Sequence, residues 1–191
     1  MDGSVVPEQH TVVLVEGTSD QLALEALARL RGRDLGGEGI SIVPMGGATG
    51  VGRFLEVFGP HGLDRRLAGL CDVAEEGYFQ RGLERVGLGS NLTRAEMEAL
   101  GFFVCVADLE DELIRSLGTP VVEEIIEHHG DLRSFRILQQ QPAQQTRSTD
   151  AQLRRFMGTR SGRKSQYATW LVDALDIRRV PRPLENLLAY V

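Results

Sequence analysis

The chain of 191 residues is long enough for one domain with its own hydrophobic core. Its apolar share of 42% and charged share of 25% are ordinary for a globular protein, and no apolar run approaches the length of a membrane span. Residues 1–10 are polar and lack the regions of a secretory signal, so the expected compartment is the cytoplasm, while a net charge of −6, taken alone, argues against a nonspecific nucleic-acid binder.

After a tail at residues 1–10, Thr11–Val15 is a continuous apolar and β-branched run, expected as a buried parallel strand. Thr18 and Ser19 are placed to cap a helix over residues 20–31, with Leu22, Leu24, Leu27, Ala28 and Leu30 facing the core. Ile40–Pro44 reads as a second strand, and Gly46 and Gly47 as a tight loop before a short helix near residues 52–58. A third strand covers residues 67–71, ended by Asp72, and a helix follows near residues 75–86. A short helix starts after Thr93, and a fourth strand covers residues 102–107. The remainder reads as helices at about 109–117, 119–129, 131–140, 149–158, 164–175 and 183–190. Strand–helix alternation predicts an α/β fold: an open, mainly parallel sheet of about four strands with helices on both faces. Residues 11–118 form the α/β core, and residues 119–191 a C-terminal helical extension that either packs on the sheet or forms a small lobe. Cys71 and Cys105 each sit in an apolar run and read as small buried thiols. No Cys/His set has zinc spacing.

The chemistry concentrates at strand ends. Glu16 follows the first strand, Asp72 ends the third, and Asp108 with Glu110 follows the fourth. In an open α/β sheet the ligand crevice lies outside the carboxyl ends of the strands, so these oxygens are expected along one edge. Asp20, four residues after Glu16 and at the first turn of a helix, reaches back toward the same place. Clustered carboxylates repel one another unless cations lie among them, and hard oxygen donors suit Mg2+ or Mn2+. Asp111, Glu112 and Glu75 are better read as helix-terminus residues than as ligands. The segment Gly47-Ala48-Thr49-Gly50-Val51-Gly52-Arg53 follows a strand like a phosphate loop, but after its last glycine, where such a loop needs Lys then Ser or Thr, Arg53 is followed by Phe54, so it reads as a backbone turn.

Basic residues have their own pattern. Arg147, Arg154, Arg155, Arg160, Arg163 and Lys164 cluster with the single acid Asp150 between residues 146 and 171, in an otherwise acidic chain. A basic segment beside an acidic body suits an enzyme acting on a polyanion; a solvated helix face is the other reading. Lys164 is the only lysine beside 20 arginines, which suggests a position that needs a compact amine able to give up a proton. An aromatic share of 6% offers no visible platform for stacking bases.

Together these residues resemble the Toprim family, and within it the OLD-type Toprim domain. The segment Glu16-Gly17 looks like the first motif, a strand-end glutamate followed by glycine. Asp72 looks like the first Asp of the second motif, Asp-x-Asp, although Ala74 stands in place of the second Asp, with Glu75 and Glu76 just beyond. The resemblance implies metal held by Glu16, Asp20, Asp72, Asp108 and Glu110, with Lys164 assisting. It implies a metal-dependent DNA endonuclease or nickase using two ions of Mg2+ or Mn2+, in which Glu16 and Lys164 are catalytic. Arg154, Arg155, Arg160 and Arg163 would then track the DNA backbone. OLD nucleases carry an ATPase domain ahead of the Toprim domain, which these residues do not contain. That leaves open action alone, action with a separate ATPase partner, or a non-catalytic module that binds nucleic acid or nucleotide with metal.

Overall fold

The computed structural model describes residues 10–160 and 162–191, so the expected tail lies outside the described residues except for His10. Four strands, β1 (Thr11–Val15), β2 (Ile40–Pro44), β3 (Arg66–Asp72) and β4 (Phe102–Cys105), form one sheet in the order β2-β1-β3-β4. Every neighbouring pair is parallel, with Val15 opposite Pro44 on one side and Leu70 on the other. The chain leaves β1 toward β2 but leaves β3 toward β4, so the direction of winding reverses between β1 and β3. That reversal opens a crevice at the strand ends.

The helices divide between the two faces. Helices α1 (Thr18–Leu30), α5 (Leu109–Leu117), α6 (Thr119–His128), α7 (Leu132–Gln139), α9 (Thr149–Met157), α10 (Arg163–Asp173) and α11 (Arg182–Tyr190) cover one face; the four-residue α8 (Pro142–Gln145) lies beside α7. Helices α2 (Val51–Phe58), α3 (Glu76–Arg85) and α4 (Arg94–Ala99) cover the other. The alternation of strand side chains produces this division: Val13, Val15, Ala68, Leu70 and Phe103 enter the first core, while Val12, Leu14, Leu67, Cys71 and Phe102 enter the second.

Residues beyond 118 pack on the sheet. Val122, Ile126, Phe135, Leu153, Phe156, Tyr167, Leu171 and Leu184 share one buried cluster with β1 and β3. Helix α10 lies along α1, and α11 against β3 and β4. The close approach of α10 corrects the expected inner face of α1. Ala23 and Ala26 are fully buried, Leu22 is half-buried, and Leu30 is 40% exposed, because small side chains let the two helices meet. Helix α1 also starts earlier than expected, with Gly17 as its cap. Strand β4 stops at Cys105 rather than residue 107, where Val106 donates its N–H to Glu112 Oε1 at 2.7 Å as the chain turns into α5. Both cysteines are free and buried.

Candidate metal centre at the strand ends

The register sets Glu16, one residue past Val15, level with Cys71 and one step short of Asp72. These two carboxylates therefore flank the crevice from adjacent strands. Gly17 caps α1 and donates its N–H to Asp20 Oδ2 at 2.8 Å, which holds Asp20 back toward Glu16. The loop after β2 is tied to the end of β1: Met45 and Gly47 donate N–H groups to the carbonyls of Val15 and Glu16 at 2.9 and 3.0 Å. Opposite, α10 begins after Gly162, which takes the left-handed φ of 77°, and projects Lys164 from its first turn. Glu16, Asp20, Asp72, Glu110 and Lys164 line one cleft of about 280 Å3, with Gly46 and Gly47 at its lip.

The electrostatics are those of crowded anions. Burial, then Glu16, Asp20 and Asp108, push the Asp72 carboxyl up to about 7. Burial moves Asp20 up to about 6, against the opposing Gly17 hydrogen bond. Glu16 is raised by burial and then by Glu75, and Glu110 is raised by burial despite Lys164. Glu110 is 2% exposed; Lys164 Nζ lies 2.9 Å from its Oε2, yet neither carboxylate oxygen has a well-directed hydrogen bond. Burial works against the charged form of Lys164, but Glu110, Asp108 and Asp20 together outweigh it and hold the amine above its ordinary value. The Lys164 amine is thus held in its charged form beside Glu110.

Asp108 is placed differently from the other four acids. It caps α5, accepting the Asp111 N–H at 2.8 Å through Oδ1, while Oδ2 is paired with Arg154. The basic residues also separate. Arg155 and Arg160 are exposed, but Arg163 is buried, bonded to Asp131 and Thr159 with its guanidinium 4.1 Å over the Phe156 ring. Its guanidinium does not face solvent. Asp111 and Glu112 are engaged by Arg115 at 2.7 and 2.8 Å, and Glu76 by Arg94 at 2.5 Å. Glu75, by contrast, presses electrostatically on Glu16. The sequence signal for it was its place three residues after Asp72; nothing local marks Arg154 as the partner of an acid 46 residues away.

The donor set fits a hard divalent cation in kind: all oxygens, several buried, two of them without a hydrogen bond. Among the described residues, however, no three His, Cys, Asp or Glu side chains are grouped to hold an ion as they stand. No helix among them is long and apolar enough to cross a membrane.

Residues 9–73 match the family model for the Overcoming lysogenization defect (OLD) protein-like TOPRIM domain, a segment that contains Glu16, Asp20 and Asp72. The C-terminal region of the Burkholderia pseudomallei OLD protein superposes with a TM-score of 0.73 at 19% identity, over 94% of this chain and 95% of that one. That of the Xanthomonas campestris pv. campestris OLD protein does so with a TM-score of 0.75 at 22% identity, over 96% and 92%. No curated protein sequence matches the chain significantly. Residues 9–73 are thus similar to the OLD-like Toprim domain, and the chain as a whole has the fold of the C-terminal region of OLD proteins.

Proposed function

We propose that the protein is a divalent-metal-dependent nuclease that hydrolyses phosphodiester bonds in DNA. The observation that carries this reading is the convergence of Glu16, Asp20, Asp72, Glu110 and Lys164 in one cleft at the strand ends. Glu16, Asp20 and Asp72 would hold one Mg2+ or Mn2+ ion, and Glu110 with Asp108 a second. Bound there, such ions supply Lewis-acid polarisation of the phosphate and a more acidic water. The chain's own residues do the rest. Lys164 meets the charge that grows on the phosphate, at a fixed position where no reorganisation is needed. Asp108 joins the site only on leaving Arg154, which frees that guanidinium for a phosphate oxygen. Exposed Arg155 and Arg160 extend the contact to neighbouring phosphates without reading sequence.

Plasmid nicking tests the proposal. Supercoiled DNA is expected to be relaxed in Mg2+ or Mn2+, not in EDTA, and not by Glu16→Ala. Intact plasmid in every metal would overturn it. One observation favours a second reading, a module that binds nucleic acid with metal but does not cut: Ala74 occupies the place of the second Asp, and among the described residues no ligand trio is preassembled. Retention of DNA in Mg2+ with no nick would decide for it, and nicking restored by a separate ATPase would make the chain a partner-dependent subunit.

A further inference from the structure

The face of the sheet opposite Lys164 carries a second groove, about 330 Å3, between α2 and α3. One loop serves both the acidic cleft and this groove. Gly46 and Gly47 form the lip of that cleft, and Thr49 of the same loop lines the groove. Along α3 the order is Glu75 at the cap, adding its charge to that felt by Glu16, then Tyr78, Arg81 and Arg85 at successive turns. The floor is Gly52 and Gly82. A Cβ on Gly52 would fall 2.1 Å from the Arg85 guanidinium, so the glycine is what lets that group lie across the floor.

Two features stand apart from the buried core. Tyr78 is 42% exposed, whereas Tyr167 is fully buried. Arg81 has no carboxylate partner among the described residues; its guanidinium sits back over the Tyr78 ring, 5.1 Å from the centroid, toward the acidic edge. Among the described residues Arg85 pairs with one carboxylate, Glu56, at 3.1 Å, and both side chains are more than half exposed, an arrangement that holds a guanidinium weakly.

We infer that this groove receives one unpaired nucleotide of the strand whose phosphate lies in the acidic cleft. The base stacks on Tyr78, and Arg81, Arg85 and the Thr49 hydroxyl take the adjoining phosphates. The inference rests on the cleft being a nucleic-acid site. An exposed ring with a guanidinium beside it accepts any base by its π-face, while arginines follow the backbone. Cations from α10 and α9 on one face of the sheet and from α3 on the other then bracket the acidic edge, as a strand crossing that edge requires.

The test is fluorescence anisotropy in Ca2+, using a fluorescein-labelled thymidine oligonucleotide and a blunt duplex of the same length. Wild type is compared with Tyr78→Ala, Tyr78→Phe and Arg81→Ala; melting by circular dichroism checks that these exposed positions leave the fold intact. Tyr78→Ala is expected to weaken single-strand binding about five- to tenfold, with Tyr78→Phe near wild type and the duplex unaffected. Arg81→Ala is expected to weaken both about two- to fivefold. Unchanged single-strand affinity in Tyr78→Ala and Arg81→Ala, in a protein that still nicks plasmid, overturns the groove and leaves the nuclease standing. Equal losses for strand and duplex in Tyr78→Ala overturn the unpaired base. A wild-type protein that binds neither probe overturns the groove and the reading beneath it.

Discussion

The buried Glu110 and the amine of Lys164 depend on each other, and their pairing has a direct consequence for substitution. Without the amine, Glu110 has no cation against it and its carboxylate carries the full penalty of burial. Lys164→Ala is expected to lower nicking about 10²–10³-fold, the loss typical of one fixed electrostatic contact to a transition state, with circular dichroism unchanged. Lys164→Arg is expected to recover little, since a planar guanidinium cannot occupy the place of a point charge; activity near wild type in either variant would remove the amine from the mechanism. Asp72 gives a second prediction of opposite sign for stability. Its carboxyl lies at about 7 in the folded protein against an ordinary 3.8. The folded state therefore holds more protons than the unfolded state between those values, so metal-free stability falls as pH rises through that window and levels off above it. Asp72→Asn removes the penalty and is expected to raise the metal-free melting temperature at pH 8 by about 2–4 °C. Added Mg2+ should raise the melting temperature of wild type more than that of the variant, which keeps the acids proposed for the second ion. A variant that melts below wild type at that pH would show that Asp72 is not held against its neighbours' charge.

The helices and strands explain which parts of this site the sequence made legible. Strand ends were readable because β1 and β3 are short apolar runs closed by an acid and the apolar run begun by β4 reaches one at Asp108, and parallel winding sends all such ends to one edge. Glu16, Asp20, Asp72 and Glu110 meet as that rule requires. Arg163 was not readable: it sits in the same basic run as Arg155 and Arg160, and only its packing against Phe156 and Asp131 separates it from them. Helix α8, four residues long, is too short to show a period. Tyr78 escaped because whole-chain aromatic content says nothing about where one ring is exposed. Sheet packing also makes a prediction at Gly69, in the middle of β3. A Cβ there would lie 2.7 Å from a ring carbon of Phe102, itself buried, and 3.0 Å from the Leu14 carbonyl oxygen. Gly69→Ala is expected to cost about 1–3 kcal/mol, read as a lower urea midpoint. An unchanged midpoint would mean that Phe102 has room to move.

At the scale of the whole molecule, a net charge of −6 and an acidic cleft oppose the approach of a polyanion, while arginines on either face of the sheet attract it. The balance depends on what lies between them. With the carboxylates bare, the centre of the binding path repels phosphate, and the flanking cations bind weakly. Neutralising the centre with a divalent cation removes the repulsion and leaves the flanks. Affinity for an oligonucleotide is therefore expected to rise as Ca2+ is added at constant ionic strength. A protein that binds through basic residues alone behaves in the opposite way, because divalent cations compete for the phosphates. Glu16→Gln, with one charge fewer at the edge, should start from a higher affinity in EDTA and gain less from Ca2+. Anisotropy titrations of both proteins, with the probe checked intact on a gel, measure this directly. A steady fall in wild-type affinity with Ca2+ would mean that the cation does not enter the cleft, and that the acids at the strand ends serve something other than phosphate chemistry.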